Sequence, residues 1–343
     1  MGKEKHSAIT ISLCMIVKDE EHILRRCLDG IRDLMDEIII VDTGSRDRTK
    51  EIAAEYTDKV YDFAWTGNFS DARNFSFSKA GCDYIYTADA DEVLDEENRE
   101  KFRILKETLV EEVEIVQMYY GNQLSFGTVY NYDKELRPKL FKRCRSFCWI
   151  EPVHETVRLL PVVFDSDIEI THLPENNHAG RDMEIFAKMT EDGQVLSGRL
   201  ATMYAKELLI SGGEKELQRA EDYFTRIADG EETTPDQMKE AVCVVVRGAR
   251  LRGDFLKMYR YAMKDVASEG VSEVCYELGE YYFGQGDFKE AAIWFYNAAY
   301  ETQSILNIHC GSDLPLNGLG RCYEALGMKE QAKEYYEEAA KAL

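Results

Sequence analysis

Three carboxylates fall within four positions at Asp89-Ala90-Asp91-Glu92. Like charges packed that closely repel one another, and a divalent cation between them relieves the repulsion. Hard Mg2+ or Mn2+ prefers carboxylate oxygen and keeps positions open for the oxygens of a phosphate-bearing substrate. The chemistry implied is a metal–diphosphate site at Asp89 and Asp91. The competing reading is structural. Acids after a strand often form only the first turn of a helix, where negative charge is favoured, and Asp95-Glu96-Glu97 suits that role. An EF-hand loop is excluded, because it requires a further oxygen ligand and then glycine where Val93 and Leu94 stand.

Other residues can serve the same chemistry. Lys18-Asp19-Glu20 and Asp42-Thr43-Gly44-Ser45 each close an apolar, β-branched run. Arg73-Asn74 sets a guanidinium, which forks onto phosphate, beside an amide able to read a base edge or a ribose hydroxyl; a surface ion pair is the alternative. Residues 137–143 are the most basic patch. They are followed by Trp149-Ile150-Glu151-Pro152-Val153-His154-Glu155, a composition that suits an acceptor-side wall with a general base, or only a structural hydrogen bond. His172 and His178 flank Pro174 in a predicted loop closing the first domain, where at most one of them is expected to contact metal or phosphate.

The elements that must position these groups follow from apolar periodicity. Strands are predicted at 9–17, 37–42, 59–63, the run entering Asp89, 114–120 and 128–132, with Gly121 and Gly127 at bends. Helices are predicted at 21–34, 48–56, around 69–80 and at 96–109. This alternation implies βαβ units and a mainly parallel sheet. In such a sheet strand ends of one polarity share an edge, so the three polar clusters converge although about 70 positions separate the first from the last.

From about 181 every segment reads as helix, giving domains 1–180 and 181–343, α/β then all-α. Gly212, Gly253, Gly286 and Gly327 mark turns 41, 33 and 41 residues apart. Leu278-Gly279, Tyr282, Gly286, Ala291, Phe295 and Ala298 align with Leu319-Gly320, Tyr323, Gly327, Ala332, Tyr336 and Ala339. Small residues let paired helices approach and aromatics fill the gaps, so each unit is a helical hairpin of a tetratricopeptide-like array, with an insertion expected near 310–315. Such arrays bind peptides, join subunits or act as braces.

The chain has 343 residues, is 45% hydrophobic and carries a net charge of −22. That balance argues against nucleic acid or an anionic membrane surface as partner. Nine cysteines without ligand spacing indicate reduced thiols and a cytoplasmic setting. No signal peptide or membrane-spanning run is expected from the sequence.

Taken together, residues 12–21, 40–49, Ala72-Arg73-Asn74 and Asp89-Ala90-Asp91-Glu92 resemble a family 2 glycosyltransferase of the GT-A fold, over roughly 8–175. The subgroup most resembled fuses such a domain to tetratricopeptide repeats, similar in this respect to the bacterial peptide S-glycosyltransferases. The resemblance implies that Val17, Lys18, Glu20, Asp42 and Ser45 hold the nucleoside of a nucleotide-sugar, UDP-sugar first. It places Arg73, Asn74, Asp89 and Ala90 at nucleotide and diphosphate, and Mn2+ or Mg2+ at Asp91, with Asp89 as a further ligand; His172, from its residue type and place in the chain, is the other metal candidate. The family commonly has two acids where Asp42-Thr43 stands, so one nucleoside contact is expected to be weaker or to be replaced by the threonine hydroxyl. The implied base of an inverting reaction is Glu155, then Glu151, with His154 beside them. The acceptor is a hydroxyl or thiol on a peptide, protein or glycan, and the repeats offer a homodimer surface. The rival readings are a haloacid-dehalogenase-type phosphatase using the same DxD loop, for which no later acidic metal motif is found, and an inactive scaffold. A dinucleotide-binding dehydrogenase lacks its glycine-rich loop here.

Overall fold

The computed structural model describes residues 8–121, 134–145, 147–152, 156–157, 161–173, 179–230 and 233–342. The chain divides into two compact units, 1–177 and 178–343.

The first unit runs β1 (Ile11–Val17), α1 (Leu24–Ile31), β2 (Glu37–Asp42), α2 (Thr49–Ala54), β3 (Val60–Asp62), α3 (Phe69–Phe77), β4 (Tyr84–Thr87), β5 (Glu92–Val93), α4 (Glu96–Thr108), β6 (Ile115–Gly121), β7 (Glu135–Lys142), β8 (Trp149–Ile150), β9 (Thr156–Val157) and β10 (Val163–His172). Eight strands form one sheet in the order β3-β2-β1-β4-β7-β6-β10-β5, while β8 and β9 pair separately. The sheet is mixed. β1 is parallel to β2 and β4, β2 to β3, and β6 to β10. β7 runs antiparallel to both β4 and β6, and β5 to β10.

Alternation along β1 explains the layering. Ile11, Leu13, Met15 and Val17 face a core shared with Leu24, Cys27, Leu28 and Ile31 of α1 and Phe102 of α4. Cys14 faces the opposite core, where Ile39, Val41 and Ile85 meet Phe75 and Phe77 of α3. The spacing of the four buried α1 residues is that of one helical face, and each buried large aliphatic side chain contributes about 1.5–3 kcal/mol. Because helices cover both faces, β2 reads as the unbroken apolar run Ile38-Ile39-Ile40-Val41.

Two strands differ from the sequence expectation. The basic patch at 137–143 lies largely in β7, a central strand that crosses a register irregularity beside Pro138. His172 is not in a loop: it ends β10, paired with Glu92 of β5. His178, the expected strand at 128–132 and Gly127 lie outside the described residues.

The second unit is helical: α5 (Ala179–Glu191), α6 (Gly198–Ser211), α7 (Glu214–Ala228), α8 (Pro235–Leu251), α9 (Phe255–Val266), α10 (Ser272–Gly284), α11 (Phe288–Tyr296), α12 (Asp313–Ala325) and α13 (Lys329–Ala339). Gly253, Gly286 and Gly327 turn their hairpins with φ of +74°, +79° and +79°. Gly212 acts differently, ending α6 with φ −72°. A Cβ on Gly279 would lie 2.6 Å from the Phe295 ring, and one on Gly320 2.5 Å from Tyr336, so the repeated glycines admit the repeated aromatics. The insertion between hairpins lies at 302–312, ahead of the expected span, and Pro315 sits in the first turn of α12. Among the described residues no helix is long and apolar enough to cross a membrane.

Candidate active site

Three strand ends meet at one edge. Val17 pairs with Asp42 and Cys14 with Thr87, which sets the Lys18, Asp42 and Asp89 segments side by side. The first two loops are laced together. The Asp19 N–H donates to Ser45 Oγ (2.9 Å), the Arg46 N–H to the Asp19 carboxylate (2.7 Å), and the Glu20 N–H to Thr49 Oγ1 (2.7 Å). Asp42 is 1% exposed. Its Oδ1 accepts the N–H groups of Gly44 and Ser45, each at 3.0 Å, while Oδ2 has no hydrogen-bond partner among the described residues. The Thr43 hydroxyl donates to the Val17 carbonyl oxygen (3.2 Å), a contact internal to the loop. Lys18 is exposed at the rim, next to Val17.

The Asp89–Asp91 turn follows β4. Asp89 Oδ1 lies 3.4 Å from Arg73 Nη2 of α3, and the Asp89 side chain is 41% exposed. Its recessed position raises the carboxyl pKa, but the positive fields of Arg73, Lys139, Arg137 and His172 outweigh that and hold it at about 2. Asp91 Oδ2 lies 3.0 Å from His172 Nε2, and the Leu173 N–H donates to the Asp91 carbonyl oxygen (2.9 Å). Asp91 Oδ1 is buried with no hydrogen-bond partner among the described residues. Ala90 is buried between the two acids.

Beneath the turn, Glu92 pairs with Lys139 of β7, both nearly sealed from solvent. Burial lifts the Glu92 carboxyl to about 7 against the pull of the lysine, with Asp89 and Asp91 adding to the rise. Lys139 and Arg137, two apart on one strand and so on one face, both approach the Tyr120 ring, whose centre lies 5.3 Å from that of His172. The sequence reading counts Glu92 among the clustered acids and Lys139 in the basic patch without giving either a site role, and it misses Tyr120. The two-residue spacing of Arg137 and Lys139 was the available signal, hidden because the patch was not read as a strand.

On the other side, Arg73 lies over the Trp149 ring at 5.2 Å. Asn74 does not face outward: its amide donates to the Trp149 carbonyl oxygen (2.9 Å) and accepts from the Trp149 N–H (2.7 Å), acting as a rung for β8. The Ser70 hydroxyl donates to the Glu151 carbonyl oxygen, and the Phe69 N–H to that of Pro152 (2.9 Å). Glu151, with φ +72°, is thereby latched to the start of α3. Glu155 and His154 lie outside the described residues.

The donor set fits a divalent cation that is completed by substrate. Among the described residues no three His, Cys, Asp or Glu side chains form a ready-made metal cage. Carboxylate oxygens with one buried oxygen left over suit an ion that takes its remaining ligands from phosphate and water.

Residues 12–157 match the family model described as Glycosyl transferase family 2. That segment is a family 2 glycosyltransferase domain. It holds most of the mixed sheet, with the acidic turn at the carboxyl end of β4. A TPR repeat-containing protein of Synechococcus elongatus is 50% identical over 84 residues, covering 24% of this chain and 21% of the relative. The SPbeta prophage-derived glycosyltransferase SunS of Bacillus subtilis is 34% identical over 102 residues, 29% of this chain and 24% of the relative. A glycosyltransferase of Rickettsia typhi is 30% identical over 121 residues, 34% of this chain and 41% of the relative. The chain thus spans between a fifth and about two fifths of the length of these relatives. A solved structure, glucosyl-3-phosphoglycerate synthase of Mycobacterium tuberculosis with Mn2+ and UDP-glucose, is 16% identical with a TM-score of 0.40, over 55% of this chain and 81% of that one.

Proposed function

We propose that the glycosyltransferase domain moves a sugar from a nucleoside diphosphate sugar, uridine diphosphate first, to an acceptor hydroxyl or thiol with inversion at the anomeric carbon. The observation that carries this reading is the Asp89–Asp91 turn. It stands at the edge where three strand ends converge, ringed by Arg73, Arg137, Lys139 and His172, with one buried Asp91 oxygen unpartnered among the described residues. Asp42 and the laced loops of Val17, Lys18, Glu20 and Ser45 form the nucleoside side. Asp91, with Asp89 and His172, would hold Mn2+ or Mg2+. When bound, such an ion neutralises the charge that grows on the departing diphosphate.

The residues divide the remaining work. Arg73 faces Asp89 and supports diphosphate beside it, while Asn74 fixes β8 and so sets the height of the Trp149 wall. Glu155, or Glu151 as the second choice, takes the acceptor proton from the face opposite the leaving group, with His154 a further candidate. Proximity and alignment at that point supply much of the rate. The family match favours this reading over a phosphatase that uses the same turn. The helical unit is proposed to present a peptide, protein or glycan acceptor or to pair two copies, and its apolar groove of Ile293, Tyr296, Leu326 and Met328 is a surface for either. Assaying UDP-sugar turnover by wild type and Asp91→Asn tests the proposal. Turnover that survives the substitution would end it.

A further inference from the structure

Lys139 is an unusual residue to find inside a sheet. It is 6% exposed, on a central strand, and its Nζ reaches both ends of the acidic turn. At the near end it approaches the carbonyl oxygen of Thr87, the last residue of β4 (3.4 Å). At the far end it meets Glu92 Oε1, the first residue of β5. The Thr87 hydroxyl lies 3.5 Å from the Lys139 carbonyl oxygen in return. The four residues between these anchors are Ala88, Asp89, Ala90 and Asp91. From the opposite side β10 holds the same turn through His172 and the Leu173 N–H.

A buried ion pair is weak evidence for stability, because desolvation of the two charges offsets much of their attraction. Its geometry here points elsewhere. A lysine has three donors on one compact ammonium, so a single group can tie two acceptors. We propose that Lys139 is a positioning residue for the metal site: it ties the two ends of the turn and supplies the countercharge that holds the Asp89 and Asp91 segment in place before the cation arrives. This deepens the proposed function and rests on its assignment of Asp89 and Asp91 to a cation. Without the tie, the two carboxylates separate in the metal-free state, and the cation must then gather them at a cost in affinity.

The test is Mn2+ binding to the full chain, followed by the paramagnetic signal of the free ion, with UDP present, and UDP binding measured separately without metal. The main variant is Lys139→Met/Glu92→Leu, which removes both charges of the pair and fills its space, so no buried charge is orphaned. The proposal expects Mn2+ binding at least tenfold weaker, with metal-free UDP binding unchanged. Lys139→Arg, which keeps a charged fork, is expected to recover most of the affinity. If the double variant does not fold, Glu92→Asp keeps both charges but shortens the reach, and carries the same expectation. Mn2+ binding within twofold of wild type in the folded variant, while Asp91→Asn loses it, overturns the positioning role alone. No Mn2+ uptake by wild type overturns the metal assignment and this role with it.

Discussion

Both units bury acids, and they use them in opposite ways. Glu273, fully buried in α10, accepts three consecutive backbone N–H groups, from Ile305, Leu306 and Asn307 at 2.9, 2.7 and 2.9 Å. Nearby Glu277 pairs with Arg250. These acids build a loop and a helix contact. In the first unit Asp89 and Asp91 gather at an edge where Asp89 keeps 41% of its side chain in contact with solvent, and the cations around them come from α3, β7 and β10. Burial of an acid is therefore not the mark of a site. Convergence of like charges toward an open face, held by residues from several elements, is.

Substitutions sharpen that contrast. Asp91→Asn should reduce sugar transfer at least a thousandfold, about 4 kcal/mol of lost transition-state stabilisation, with the melting temperature little changed. Glu155→Gln should lower turnover by roughly 10²–10⁴-fold, the range for losing a general base, with nucleotide binding intact. If only Glu151→Gln has that effect, the base moves to the residue held against α3. Glu273→Ala should do the reverse of Asp91→Asn. Three stranded N–H groups should destabilise the helical unit by about 3 kcal/mol or more, seen by chemical denaturation, while UDP binding stays as in wild type. Gly320→Ala should cost about 1–3 kcal/mol in the same unit, because the new methyl meets the Tyr336 ring.

A further effect concerns pH. The folded-state pKa of Glu92 is raised from about 4.5 to about 7, so the folded protein binds more protons than the unfolded chain between those values. Stability from this group should fall as pH rises through that window and level off above it. Glu92→Gln should flatten that slope in denaturant titrations at fixed ionic strength. Asp89, depressed to about 2, has the opposite sign: its stabilisation is present above about 4 and is lost as pH falls toward 2.

The acids proposed for the donor half were legible because they end apolar runs. Asp42 and Asp89 follow strands whose β-branched and aromatic residues announce themselves, and a parallel sheet then brings the ends together. The glycine and aromatic pairs of the repeats were legible for a similar reason, since Gly279 with Phe295 and Gly320 with Tyr336 recur at a fixed offset. β7 and β10 were not. Glu135–Lys142 contains a proline and three basic residues, and only its place between β4 and β6 makes it a strand. Val163–His172 alternates buried Ile168 and Ile170 with exposed Asp167 and half-buried Glu169, a period-two signal masked by its acid content and by a register shift between Asp165 and Glu169. Those two strands carry Lys139, Arg137 and His172. The counter-charges of the acidic turn thus depended on long-range pairing, which local patterns do not encode.

The most direct test is thermal stability of wild type and Asp91→Asn with UDP, GDP, CDP and dTDP, each with and without Mn2+. A ligand that binds only the folded state stabilises it by about 2.7 kcal/mol at a hundredfold excess over its dissociation constant. The expected result is a rise with UDP that Mn2+ enlarges, with the Mn2+-dependent part lost in Asp91→Asn. A UDP shift of equal size in both proteins, or no shift with any nucleotide, would contradict it.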